Sequence, residues 1–196
     1  KTCNGPHDGG TSHAGLINEK TLKTFQDMGF TYLDYGLEHW DNKILKNLGK
    51  GATAEANKRA MQLHINTGIQ PVPNQIIMFP DESWDSLNTM LDAWEETGIV
   101  TSPFICTPYP GSEWYIKYKD FIVEQYGGKL ESFINDLEDA TKITALLTRK
   151  FTPSEAVGIQ KIMSQASISG DFDNARRLLA ISKKMKESGI IEHKPS

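Results

Sequence analysis

Helix and strand signals alternate along the first two-thirds of the chain, and this alternation restricts the fold more than any other feature of the sequence. Three apolar and aromatic runs predict strands, at residues 30–37, 69–79 and 98–111. Three segments with apolar side chains at helical spacing predict helices, at residues 19–28, 53–67 and 84–97. Strands that alternate with helices in this way are typical of βα units wound into a parallel sheet.

The ends of several predicted elements can be read from single residues. Asn18, Asp41 and Thr53 are suited to cap the helices that follow them, because their side chains accept hydrogen bonds from free backbone amides. Pro71 and Pro73 lack a backbone N–H, so we expect the hydrogen-bonded part of the second strand to be its C-terminal half.

Strand signals are absent after about residue 129, where three helical segments are predicted at residues 130–139, 152–166 and 171–188. The second of them has a strong start, with Thr152 as N-cap, Pro153 in the first turn and Glu155 in the capping-box position. We therefore divide the chain into an α/β part, residues 1–128, and a helical C-terminal region, residues 129–196, packed on it as an appendage.

Composition argues against several classes of protein. The 196 residues hold 21 Lys and Arg against 25 Asp and Glu, a net charge of -4, so a protein that coats nucleic acid or an acidic membrane is not expected. No apolar stretch reaches about 18 residues, so no membrane span is expected. Two cysteines, Cys3 and Cys106, favour a reducing compartment, and we predict a cytoplasmic protein.

Residues that follow the strands are the candidates for function, because ligands of parallel βα folds bind where the strands end. Three clusters occupy such positions: residues 36–39 (GLEH), 80–83 (PDES) and 107–111 (TPYPG).

Glu38 leaves the first predicted strand as a carboxylate that could accept hydrogen bonds from a ligand's hydroxyl groups or amine. Gly36 before it would let a ligand approach the backbone closely. The alternative is that Glu38 is an acidic residue near the N-terminus of the next helix, where the helix dipole favours it.

Asp81 and Glu82 form a carboxylate pair that could divide acid and base work. We favour helix capping, in which Asp81 or Ser83 satisfies free amides. In the third cluster, Tyr109 stands in a rigid turn and could cover a ring-shaped ligand, although such a turn can also simply end a strand.

The N-terminal residues Cys3, His7, Asp8 and His13 include metal-ligand types, but a Cys-x3-His spacing fits no zinc site, and we predict no metal site in this chain. We expect His39 to be a surface or packing histidine.

In this order and at these spacings, the three clusters resemble the C-terminal half of a radical S-adenosylmethionine (SAM) enzyme core. The similarity is greatest to the branch that often carries an upstream cobalamin-binding domain. Three passages carry it: LINEKTLKTFQDMGFTYLDYGLEHWDNKILKNLGKGAT from residue 16, QIIMFPDESWDS from residue 75, and TPYPGSEWY from residue 107.

The resemblance implies an α/β fold, the C-terminal half of a partial (β/α)6 barrel with parallel strands. It implies these cofactor-binding residues: Gly36, Glu38, Pro80, Glu82, Pro108, Tyr109, Pro110 and Gly111. Gly36 and Glu38 match a motif on the fourth strand of the family's full barrel and would contact the ribose or amino group of SAM. The loop at residues 108–111 would lie near the adenine and the substrate.

The resemblance also implies a [4Fe-4S] cluster that cleaves SAM to methionine and a 5′-deoxyadenosyl radical. No C-x3-C-x2-C motif occurs in this sequence, and the family usually has Gly where Met78 stands. We therefore expect the cluster loop, the rest of the barrel and, where the branch carries one, a cobalamin-binding domain to precede Lys1, and this chain to be inactive alone.

Two alternatives remain open. One is a non-catalytic half-barrel that binds an adenosyl ligand or a partner protein. The other is an ordinary (β/α)-barrel enzyme that uses Glu38 and Glu82 as acid and base. The sequence specifies neither the substrate nor any catalytic residue.

Overall fold

A computed structural model describes residues 9–64, 67–139 and 145–189 of the chain. Within them, four parallel strands form one sheet in the order β1-β2-β3-β4; the sequence predicts the parallel sheet and three of these strands. The strands are β1 Gly9–Ser12, β2 Tyr32–Glu38, β3 Gln70–Ile77 and β4 Phe104–Ile105. The helices are α1 Glu19–Asp27, α2 Asn42–Asn47, α3 Ala54–His64, α4 Trp84–Thr97, α5 Glu113–Gln125, α6 Leu130–Leu137, α7 Pro153–Ser169 and α8 Phe172–Glu187.

Local sequence chemistry sets most helix starts. Asn18 caps α1, and Asp41 caps α2 by accepting from the amides of Lys43 and Ile44. The Thr53 hydroxyl accepts from the amide of Ala56 at the start of α3. Thr152 caps α7 in a capping box with Glu155, as predicted.

The N-terminal strand and the fifth helix were not predicted from the sequence. Strand β1 is four residues long and contains two glycines, so it carries no apolar run that would mark it. It pairs in parallel with β2, from Gly9 opposite Tyr32 to Ser12 opposite Tyr35.

The prediction that prolines restrict the second strand to its C-terminal half is wrong. Strand β3 pairs with β2 from Gln70 onward, with Pro71 opposite Leu33 and Pro73 opposite Tyr35. The carbonyl of Pro73 accepts a hydrogen bond from the Thr101 hydroxyl on the other side of β3, at 2.9 Å. Because the N–H and C=O of one strand residue point to the same side, the missing N–H also faces away from β2 and costs no ladder bond.

Strand β4 is much shorter than the predicted run of residues 98–111. The segment before it is hydrogen bonded to α7 instead of β3: the amide of Thr101 donates to the Ser167 hydroxyl at 2.8 Å, and Gln160 donates to the carbonyl of Pro103 at 2.7 Å. Strand pairing therefore begins only at Phe104.

The main core lies between one face of the sheet and the helices. Leu33, Tyr35 and Leu37 of β2 alternate with half-exposed residues and are fully buried against this layer. The layer includes side chains of α1, α3, α4, α7 and α8, with Trp94 of α4 the largest fully buried one. Each fully buried leucine, isoleucine or methionine side chain in this core contributes about 1.5–3 kcal/mol to the stability of the fold. Helices α7 and α8 thus share the core of the sheet, while the division at residue 128 stays a prediction.

A second apolar cluster includes residues that directly follow β3 and β4. It is built around Ile44 of α2, Phe79 after β3, Cys106 after β4, Ile122 of α5 and Phe133 of α6. None of the helices in the described ranges has the length and apolar character needed to cross a bilayer.

A buried polar pair joins the sheet to α3. The hydroxyl of Tyr35 lies 2.5 Å from Nε2 of His64, and Nδ1 of His64 lies 2.8 Å from the carbonyl of Ile69. Since the carbonyl only accepts, Nδ1 carries the ring proton and Nε2 accepts from Tyr35. Burial lowers the pKa of His64 and raises the pKa of Tyr35.

This arrangement predicts an acid-sensitive fold. Because burial lowers the pKa of His64 in the folded protein, the unfolded chain takes up this proton more readily near pH 6.5, so the free energy of unfolding should fall as the pH drops from 7.5 to 5.5. Urea unfolding of the wild type and of His64→Gln at both pH values tests this. The variant should lose less stability over the interval; equal losses would contradict the assignment.

Candidate functional site

The carboxyl ends of three parallel strands meet at one edge of the sheet, here called the rim. Glu38 ends β2, Met78 follows β3 and Cys106 follows β4. The amide of Cys106 donates to the carbonyl of Ile77 at 2.8 Å. Burial, with smaller contributions from the negative charges of Glu82 and Glu38, raises the pKa of the Cys106 thiol to about 12. Glu38 at the end of β2 and Glu82 in the turn after β3 therefore follow strand ends at the same edge of the parallel sheet.

Glu38 has a left-handed backbone, with φ of 64°. The register with β3 shifts at this point: Gly36 lies opposite Asn74, and Glu38 lies opposite Gln75, so β2 contains a one-residue bulge. The amide of His39 donates to the carbonyl of Leu37 at 2.8 Å and closes a tight turn around Glu38. A non-glycine residue in this conformation costs roughly 1–3 kcal/mol, and such residues concentrate at functional sites.

Gly36 makes room for the carboxylate of Glu38. A Cβ atom at position 36 would lie 2.9 Å from Oε1 of Glu38, closer than real contacts allow. The sequence suggested that this glycine lets a ligand approach the backbone. In the structure it also lets the Glu38 side chain lie back over its own strand.

Lys50 balances the charge of Glu38. Its Nζ forms an ion pair with Oε1 of Glu38; the lysine side chain is 53% exposed and the glutamate side chain 8%. Lys50 lies between Gly49 and Gly51, both with positive φ. The α2 amides are capped by Asp41, so Glu38 is not used for that purpose. A buried carboxylate whose partner is an exposed lysine can exchange that partner for a cationic ligand group.

The Glu82 carboxylate is fully buried, and both of its oxygens accept hydrogen bonds from other groups of the protein. Its Oε2 accepts from the amide of Met78 at 2.8 Å, and its Oε1 accepts from the Ser86 hydroxyl. Met78 also has a left-handed backbone, with φ of 68°. This conformation explains why a glycine would suit the position. Glu82 therefore stabilises the turn that carries Pro80.

The neighbouring Asp81 does not cap α4. Its carboxylate pairs with Nζ of Lys43 at 3.0 Å and accepts from Nδ2 of Asn47 at 2.6 Å, and these α2 contacts lower its pKa. Ser83 is the N-cap, in a reciprocal capping box with Ser86. Of the two capping candidates that the sequence offered, Ser83 is confirmed.

Of the two roles expected for His39, surface or packing, the structure shows packing: the ring is fully buried beside Glu82. Its Nδ1 accepts from the amide of Asp41 at 2.9 Å, so in the neutral ring the proton is on Nε2. Nε2 lies 3.4 Å from Oε1 of Glu82. The histidine thus connects the turn at the end of β2 with the turn after β3. Its position directly after Glu38 was the only signal in the sequence.

The third cluster follows β4 as an exposed turn. Tyr109 is 61% exposed, and the amide of Ser112 donates to its carbonyl at 3.0 Å. Pro108 and Pro110 flank the tyrosine, and Gly111 has φ of 89°. The turn leads into α5, which Ser112 caps. The Tyr109 side chain is therefore exposed to solvent in the loop that follows β4.

The metal-ligand residue types do not assemble into a site within the described ranges. Cys3, His7 and Asp8 lie outside the described residues, and Nδ1 of His13 accepts from the amide of Gly15 at 3.1 Å. No group of three His, Cys, Asp or Glu side chains there could hold a metal ion. A [4Fe-4S] cluster does not fit this chain, because its sequence has only two cysteines, Cys3 and Cys106.

A separate groove of about 480 Å³ lies between α7 and α8, lined among others by Lys161, Ile162 and Leu178. None of the predicted cofactor-binding residues lines it.

The assignment of Glu82 to the turn after β3 predicts a large effect on stability. Glu82→Ala leaves the Met78 amide and the Ser86 hydroxyl without their buried acceptor and should lower the free energy of unfolding by about 2–4 kcal/mol. Asp81→Ala is the matched control: it removes a partly exposed ion pair and should cost under about 1 kcal/mol. Urea unfolding at pH 7 gives both values, and similar losses would refute the assignment.

Comparison with known proteins finds similarity mainly in the first half of the chain. The model of the Radical SAM superfamily matches residues 3–93, which include β1, β2, β3 and the turn with Glu82. The uncharacterized methyltransferase PH0819 of Pyrococcus horikoshii is 29% identical over 103 residues, 52% of this chain and 22% of the relative.

A solved structure gives the same fold. The radical SAM methyltransferase TsrM from Kitasatospora setae, with cobalamin and a [4Fe-4S] cluster bound, superposes with a TM-score of 0.51 at 16% identity. The match covers 58% of this chain and 23% of TsrM. The chain thus spans less than a quarter of either protein. The family model thus matches just under half of the chain, and the match with TsrM shows a shared fold.

Proposed function

We propose that this chain is the C-terminal part of a radical SAM barrel and binds SAM at the rim formed by β2 and β3. One observation carries the proposal: the Glu38 carboxylate is held at the end of a parallel strand, in a strained conformation, with an exposed lysine as its partner. Strain of this kind persists only where surrounding contacts impose it, and it is concentrated at ligand sites.

The residues at the rim suit the parts of SAM. Asp34, Gly36 and Asn74 are half-buried and share the sheet face opposite the buried side chains of β2. Glu38 follows them and can accept from the α-ammonium group or the ribose hydroxyls. Exposed Tyr109 can cover the adenine by stacking. Bound there, SAM would supply the sulfonium group whose cleavage begins the family's chemistry, while this chain binds and orients it.

Glu82 and Pro80 have an indirect part in this proposal. The carboxylate of Glu82 is already bonded to Met78 and Ser86, so it shapes the turn at the rim and leaves the contact with SAM to the backbone near Pro80. The same bonds argue against an ordinary barrel enzyme with Glu38 and Glu82 as acid and base. A fully buried carboxylate with two internal donors is poorly placed to exchange protons with a substrate.

The catalytic activity belongs, in this proposal, to the whole protein. Residues outside this chain would hold the [4Fe-4S] cluster and, where it is used, cobalamin, and would complete the barrel. The relative from Pyrococcus horikoshii is named a methyltransferase, so methyl transfer is the reaction class that we propose.

SAM binding tests the proposal directly. Isothermal titration of the purified chain should give a saturable signal, and Glu38→Gln should weaken binding ten-fold or more, because a charge-assisted hydrogen bond contributes about 1.5–3 kcal/mol. Glu187→Gln, at an exposed site on α8, is the control and should bind as the wild type does. A folded chain that gives no signal, or equal affinities for all three proteins, would refute the proposal.

A further inference from the structure

A single buried side chain holds the backbone on both sides of Glu38. Asn57, on α3, is fully buried, and its Nδ2 donates to the carbonyl of Leu37 at 3.0 Å and to the carbonyl of His39 at 3.1 Å. These carbonyls belong to the residues that precede and follow Glu38 in sequence. The side-chain amide of Asn57 therefore links the two residues on either side of Glu38.

The turn needs such support because its conformation is unfavourable by itself. Glu38 has φ of 64°, and the strand ladder is interrupted by the bulge at this point. The internal bond from the His39 amide to the Leu37 carbonyl leaves the His39 carbonyl without a partner inside the turn. Asn57 supplies a donor for that carbonyl and a second one for Leu37. Asn57 thereby holds the peptide plane between Leu37 and Glu38 and the plane that follows His39, while the His39 amide holds the plane between Glu38 and His39. Together these bonds fix the direction of the Glu38 side chain.

Asn57 is itself on a rigid element. The amide of Ala54, at the start of α3, donates to Oδ1 of Asn42 at 2.9 Å, and the Asn57 amide donates to the carbonyl of Thr53 at 3.0 Å. One turn further along α3, Ala60 and Met61 are buried in the main core. The two hydrogen bonds from Nδ2 of Asn57, here called the clamp, therefore connect the turn at Glu38 to a packed helix.

We propose that Asn57 is the positioning residue for the Glu38 carboxylate and acts on the ligand only through Glu38. The inference rests on the proposed SAM site and adds to it a residue 19 positions away that no rim motif contains. Because Asn57 makes both bonds through Nδ2, a side chain without two amide donors cannot replace it.

A double-mutant cycle tests the indirect action. Asn57→Ala should weaken SAM binding about ten-fold in the wild-type background and less than two-fold in the Glu38→Gln background, because the residue acts through the carboxylate. Asn88→Ala is the matched control: its Nδ2 also donates to a backbone carbonyl, that of Trp84 on α4, and affinity should change less than two-fold. Equal, additive losses in both backgrounds would overturn the proposal.

A second readout does not depend on SAM. Amide hydrogen exchange of His39 should accelerate ten-fold or more in Asn57→Ala and stay unchanged in Asn88→Ala, since the turn opens when the clamp is lost. If Asn57→Ala does not fold, Asn57→Ser, which keeps one donor, takes its place. Unchanged protection of His39 would refute the clamp. A normal clamp with no effect of Glu38→Gln on SAM would refute the proposed function instead.

Discussion

The bulge at the end of β2 is the feature on which the candidate site depends. Parallel pairing with β3 runs without interruption up to Gly36 opposite Asn74, and one extra residue then places Glu38 opposite Gln75. Because side chains alternate across a strand, a single added residue redirects every side chain after it. The Glu38 carboxylate, which pairs with Lys50, and the buried His39 lie at or directly after this shift.

Two neighbouring strands end in the same way. Glu38 after β2 and Met78 after β3 are the non-glycine residues with positive φ in the described ranges. Each is stabilised by one buried side chain from a later part of the chain: Asn57 of α3 donates to the carbonyls of Leu37 and His39, and Glu82, just before α4, accepts from the amide of Met78. His39, within 3.4 Å of Glu82, links the two turns. At the ends of β2 and β3, the rim thus consists of two strained turns that buried polar contacts hold in place. These turns would present a preorganised surface to a ligand.

Local chemistry in the sequence is sufficient for part of this structure. The parallel βα order and caps such as Asp41 depend on neighbouring residues and are predicted correctly. The pairing of β3 with β2 is not predicted correctly. The N–H that Pro73 lacks would matter only if it pointed toward β2, and the register of the sheet determines which way it points. The left-handed turn at Glu38 is likewise beyond local reasoning, since its support comes from Asn57 on a helix folded against it.

The position of SAM on the chain is the most direct test of the central claim. In a titration of the ¹⁵N-labelled chain with SAM, the account predicts that the largest backbone amide shifts occur at Gly36, Glu38 and His39, at the end of β2. Largest shifts in the groove between α7 and α8, at Lys161 or Leu178, would contradict it.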